Sequence, residues 1–113
     1  MTEAAEMRYL EDLRGLVQVQ QDSTVSRSVL KAESARVVLF AFDAGQVLTE
    51  HTAAVPVIMQ VLDGELRVTA DGRTVDLVPG GLLHLSTRCP HSVEAVTPAR
   101  LALTMIGAPA AGR

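Results

Sequence analysis

Between residues 56 and 78, three short runs of alternating apolar character, PVIMQVLD, ELRVTAD and RTVDLV, are broken by Asp63-Gly64 and Asp71-Gly72. A two-residue hairpin turn favours positive φ at its central positions, which Gly adopts freely and Asp tolerates. Asp-Gly between such runs is therefore a strong hairpin signal. Two of these pairs in close succession predict an antiparallel meander. The same period of two governs the flanks. Upstream, LVQVQ, TVSRSVLK and ARVVLFAFD read as about three strands with turns at Asp22-Ser23 and Glu33-Ser34, and GQVLTEH follows as another. Downstream of Pro79-Gly80-Gly81, GLLHLS, HSVEAVT and ARLALTMI supply three more, the last two separated by Pro98. The pattern predicts an all-β chain of roughly nine or ten short antiparallel strands, in a sandwich or jelly-roll barrel. Helix is expected only near the start, where Met7, Leu10 and Leu13 are spaced as one face of a short amphipathic helix over residues 3–14.

A chain of 113 residues has room for one domain with one core, and a duplicated barrel would not fit. The expected layout is an N-terminal amphipathic segment over 1–14, a barrel over 15–107 and a flexible tail over 108–113. No apolar run approaches the roughly 18 residues that span a bilayer, so no membrane partner is expected. The first residues mix acidic and basic side chains without the charged-then-apolar layout of a secretory signal, and a cytoplasmic location is the expectation. The single cysteine, Cys89, fits a reducing compartment. Net charge is −3 with both signs interspersed, and Tyr9, Phe40 and Phe42 are the only aromatic side chains of the Phe/Trp/Tyr type. This excludes a phosphate-neutralising stripe or a base-stacking platform, and nucleic acid with them.

Two stretches carry the chemistry: residues 45–64, GQVLTEHTAAVPVIMQVLDG, and residues 80–95, GGLLHLSTRCPHSVEA. Each runs from a Gly through apolar residues to a histidine, His51 in the first and His91 in the second. Together they resemble the two sequence motifs of the cupin superfamily, of the RmlC-like conserved-barrel kind. In the first, Gly45, His51 and Gly64 are in register, whereas Ala53 stands at the second histidine of the motif and Val57 at its glutamate. In the second, Gly80 and His91 are in register, with Ser86 for Pro, Arg88 for Gly and Ala95 for Asn. The chain is most similar to small single-domain members with segments like VSRSVL, LFAFDAGQ, EHTA and VLDGEL. The resemblance implies a jelly-roll barrel in which His51 and His91 converge.

A transition-metal site usually takes three or four N, O or S ligands. His51 and His91 give two, and Ala53 and Val57 remove a ligand each. Any divalent metal (Zn, Fe, Mn or Ni) is therefore expected to be weakly held, with water or another group completing its shell. The competing account is a pair of partly buried, hydrogen-bonded imidazoles that meet ligand polar atoms in an apolar pocket. Met59 and Cys89 are the further candidate ligand-binding residues, Cys89 because it lies two positions before His91. A lone Cys is more often a small core hydrophobe, and Met a flexible filler. His84, between Leu83 and Leu85, should face outward. Gln60, inside VIMQVL, reads as an amide that needs partners at a subunit contact. Apolar residues on both faces of VVLFAF and VIMQVL predict a sheet covered twice, and hence a homodimer. No phosphate loop, serine-nucleophile motif or CxxC pair is present. Three functions fit: a small-molecule-binding barrel, a metal-dependent enzyme of dioxygenase or isomerase type, and a non-catalytic sensor or assembly module.

Overall fold

A computed structural model describes residues 5–107. The expected tail over 108–113 lies outside the described residues. Nine strands form: β1 Thr24–Ala32, β2 Ala35–Phe42, β3 Val47–His51, β4 Val57–Asp63, β5 Leu66–Ala70, β6 Arg73–Leu77, β7 Leu83–Leu85, β8 His91–Ala95 and β9 Ala99–Ile106. They make two antiparallel sheets, a five-stranded one in the order β1-β2-β9-β4-β7 and a four-stranded one in the order β3-β8-β5-β6. From β3 onward the chain changes sheet at nearly every connection, which is the jelly-roll arrangement. The barrel is not closed.

Period-two alternation sorts the side chains as a two-layer fold requires. Phe42, Val57, Leu101, Leu66, Val68 and Val93 are fully buried between the sheets, three from each. The alternate residues of the four-stranded sheet are polar apart from Val47. Arg67 and Asp76 are cross-strand partners with Arg67 Nε donating to Asp76 Oδ1 at 3.1 Å, and Thr69 lies opposite Thr74. That hydrogen bond and the Asp76 charge hold the Arg67 pKa above its ordinary value. This face is solvated.

The outer face of the five-stranded sheet is apolar, and the chain covers part of it itself. A 3-10 turn at Leu13–Leu16 and the extended residues after it lay Val17, 5% exposed, with Leu16 and Val19 over Leu39, Ala41 and Ala102. Arg27 Nη1 donates to the Leu16 carbonyl at 3.0 Å and pins the segment. LVQVQ, expected as a strand, is thus a cover that packs through Leu16, Val17 and Val19 without joining a sheet.

The helix expected over 3–14 does not form among its described residues. Of the expected face, Met7 is 91% exposed and Leu10 37%, and only Leu13 packs on the core, so a helix there has too little apolar contact to stabilise it. A helix this short is marginal without such a partner.

The predicted meander is half right. Asp71 (φ 51°) and Gly72 (φ 69°) both have positive φ and close the β5–β6 hairpin between Ala70 and Arg73. At Asp63-Gly64 only Gly64 does, at φ 82°, and the chain passes from one sheet to the other instead of folding back. The backbone polar groups there are claimed from outside: Glu65 N–H donates to Thr97 Oγ1 at 3.0 Å, and Val96 N–H donates to the Glu65 carbonyl at 3.0 Å. Asp63 accepts from Arg100 Nη1 at 2.8 Å, so its side chain serves an ion pair and not a turn. Among the described residues no helix is long and apolar enough to cross a membrane.

Candidate functional site

His51 ends β3 and His91 opens β8, and the two are directly opposed partners in the four-stranded sheet. Their ring centroids lie 4.3 Å apart at an interplanar angle of 57°. A bulge makes this pairing face inward. Leu48 pairs with Val93 and His51 with His91, so β3 spends three residues where β8 spends two. Leu48 and His51 would fall on opposite faces of a regular strand, and the extra residue restores both to the interior.

Each ring is held by its own chain. His51 Nδ1 lies 2.7 Å from the Thr49 carbonyl and His91 Nδ1 lies 2.9 Å from the Cys89 carbonyl. A carbonyl can only accept, so Nδ1 is the protonated nitrogen in both, and each neutral ring is left with Nε2 as an acceptor. His91 is only 3% exposed, whereas His51 stands at the opening.

The pair borders a cavity of about 360 Å³ between the sheets, within the range of roughly 300–1,000 Å³ usual for small-molecule sites. Phe40, Met59, Leu101, Leu103 and Met105 line it from the five-stranded sheet, and Leu48 and Val93 from the other. Ala53 and Val57 line it too, so the four positions at which the sequence was compared with a metal motif, 51, 53, 57 and 91, surround one space. The two motif stretches are also bonded to each other: Arg88 N–H donates to the Ala53 carbonyl at 2.8 Å, and Gly45 N–H to the Ala95 carbonyl at 2.8 Å.

Of the residues proposed from sequence, His51, His91 and Met59 line the cavity, and Cys89 is not among its lining. Alternation does not extend back from His91 to Cys89, because Pro90 intervenes before the strand begins and Arg88 turns the chain at φ 61°. Cys89 contributes its carbonyl to orient His91, while its half-buried side chain packs on the core. His84 is exposed between half-buried Leu83 and buried Leu85, facing away from the core. Gln60 is exposed, so its amide needs no protein partner within this chain.

Sequence reasoning missed Arg36. It lies on the interior face of β2, in phase with Phe40 and Phe42, and lines the cavity on the wall opposite the histidines. The signal was a charged residue in the alternation that Phe40 and Phe42 define.

The donor set falls short of a protein metal site. Among the described residues no group of three or more His, Cys, Asp or Glu side chains is placed to hold an ion. Two imidazoles alone leave most of a coordination shell to other donors.

Two face-to-face antiparallel sheets with an inward histidine pair at one end of the interior define a single-domain jelly-roll barrel with a small-molecule-sized cavity. Residues 38–107 match the cupin domain family, and the chain belongs to it. No curated protein matches the sequence. Among solved structures, an RmlC-like cupin protein from Desulfovibrio desulfuricans is 28% identical, with 89% of this chain and 97% of that one covered and a TM-score of 0.77. A cupin superfamily protein from Desulfitobacterium hafniense is 20% identical over 92% and 94%, with a TM-score of 0.79. A variant of salicylate 1,2-dioxygenase from Pseudoaminobacter salicylatoxidans is 17% identical over 82% of this chain and 29% of that one, with a TM-score of 0.69. The last two share the fold.

Proposed function

We propose that this protein is a small-molecule-binding cupin whose ligand occupies the cavity between the sheets and hydrogen-bonds to Nε2 of His51 or His91. The observation that carries the reading is the pair itself: two rings 4.3 Å apart, each tethered through Nδ1, at the edge of a largely apolar space. Tethered rings have lost their rotational freedom before the ligand arrives, which lowers the ordering cost of binding. Ligand-observed NMR with a fragment library tests this, with Ala53→Phe as a variant that fills the cavity. Hits lost in the filled variant support the reading, and hits that survive it sink it.

Metal-assisted chemistry of dioxygenase or isomerase type is the second reading. Its support is the His51–His91 pair with both Nε2 atoms available, together with the fold shared with the dioxygenase. Two imidazoles, with no third His, Cys, Asp or Glu grouped with them among the described residues, favour the binding reading.

A homodimer belongs to the proposal, with the rest of the apolar outer face of the five-stranded sheet as its contact. The N-terminal cover reaches Leu62, while Ile58 is half-buried, Gln60 exposed and Ile106 39% exposed on the same face. Light scattering reports the mass, and a monomer at micromolar concentration removes this part of the proposal. A cytoplasmic location goes with it, testable by fractionation.

A further inference from the structure

We infer that the cavity selects a small molecule with a carboxylate at one end and a hydroxyl at the other, Arg36 holding the carboxylate and Nε2 of His51 or His91 accepting from the hydroxyl. The inference rests on the reading of the cavity as a ligand site and adds the chemistry of its occupant.

Arg36 is the permanent charge lining this cavity, and among the described residues no acidic side chain lines it. A guanidinium carries five donors and stays protonated. Here its Nη2 meets Met105 Sδ at 3.2 Å, a thioether and so a weak acceptor, and it enters none of the ion pairs among the described residues. Arg67 has Asp76, Arg100 has Asp63 and Arg27 has the Leu16 carbonyl, and of the arginines without such a partner among the described residues Arg36 is the one that lines the cavity. An anionic oxygen pair is the group that a free guanidinium fork recognises best.

The opposite wall asks for something different. With Nδ1–H of each histidine committed to a carbonyl, the Nε2 atoms of the neutral rings present lone pairs, which repel a carboxylate and attract a donor. An ammonium would also donate, but it would bring a second charge into a cavity with no carboxylate to meet it. A hydroxyl donates without that cost. Between the walls, Phe40, Leu101 and Leu103 require an apolar body. Anion on one sheet, donor on the other and hydrocarbon between them describe an apolar hydroxy acid.

The probes are 4-hydroxybutanoate, 6-hydroxyhexanoate and 8-hydroxyoctanoate, whose lengths sample the span between the walls, with hexanoate and 1,6-hexanediol as single-ended controls. Calorimetry or ligand-observed NMR on the unmodified protein should find one hydroxyalkanoate that binds more tightly than either control. Arg36→Gln should weaken that ligand about tenfold or more, the scale of a lost charge-assisted bond, and leave the diol unchanged. Arg36→Lys should fall between. Arg36 is exposed, so the fold should survive both changes, and a thermal melt checks this. Equal binding of hexanediol and the hydroxyalkanoates, an Arg36→Gln variant that loses nothing, or no measurable binding of any hydroxyalkanoate overturns the inference. In each case, cavity-dependent hits in the fragment screen leave the broader reading standing, and their absence sinks it as well.

Discussion

Gly64 lies so close beneath the backbone of Pro98 and Ala99 that no side chain fits between them. A Cβ built on Gly64 would overlap the Pro98 carbonyl oxygen and stand 2.7 Å from Cβ of Ala99. This contact joins the crossover from β4 to β5 to the crossover from β8 to β9, so the two places where the chain changes sheet at that end are packed as one unit.

Gly64→Ala should therefore cost more than backbone conformation alone. A left-handed residue with a Cβ costs about 1–2 kcal/mol, and the obstacle here is backbone that cannot rotate away. We expect a loss of at least about 2 kcal/mol from the two effects together. Gly72→Ala is the control, since its φ is also positive but nothing stands within 4 Å, and about 1 kcal/mol is expected. Urea denaturation of the two variants measures the difference, and equal losses would remove the packing argument.

Both histidines should report the same tautomer. With Nδ1 donating to the Thr49 and Cys89 carbonyls, 15N NMR at a pH where the imidazoles are neutral should show protonated Nδ1 and bare Nε2 in His51 and His91. Protonated Nε2 in either ring would contradict the tethering and reverse the kind of ligand group that ring accepts.

Restoring the missing ligands should create a metal site. Ala53→His with Val57→Glu places two more donors around the cavity that His51 and His91 already border. Metal content by elemental analysis after chelation should rise from little to near-stoichiometric. Without metal the double variant should be less stable than the parent, because Val57 is 1% exposed and an unpaired carboxylate there costs several kcal/mol. Zinc should raise its melting temperature, and a variant that is equally stable with and without zinc refutes the placement.

The N-terminal cover should act through Val17 and not through Met7. Val17→Ala removes buried methyl groups and should cost about 1.5–2 kcal/mol. Met7→Ala, at a side chain 91% exposed, should stay within about 0.5 kcal/mol. Melts of both at several protein concentrations also test the dimer, since a concentration-dependent Met7 effect would place that side chain in a subunit contact.

Alternation marked where the strands lie, because a residue's face in a regular strand depends only on its position along it. It located all nine, the two hairpin turns at Glu33-Ser34 and Asp71-Gly72, and the outward direction of His84. The resemblance carried by the Gly and His positions named the family and implied that His51 and His91 converge in one pocket. Pairing between strands is not a local property, and there the sequence was insufficient. Asp63-Gly64 looks like Asp71-Gly72, but its backbone groups are claimed by Thr97 and Val96, residues distant in the chain. LVQVQ alternates as a strand does, yet no free edge takes it, and it becomes the lid on Leu39 and Ala41. The bulge that turns His51 inward and the arrival of Arg36 on the facing wall each depend on one strand's position against another. Tertiary structure decided them because the atoms that satisfy these groups come from segments that only folding brings together.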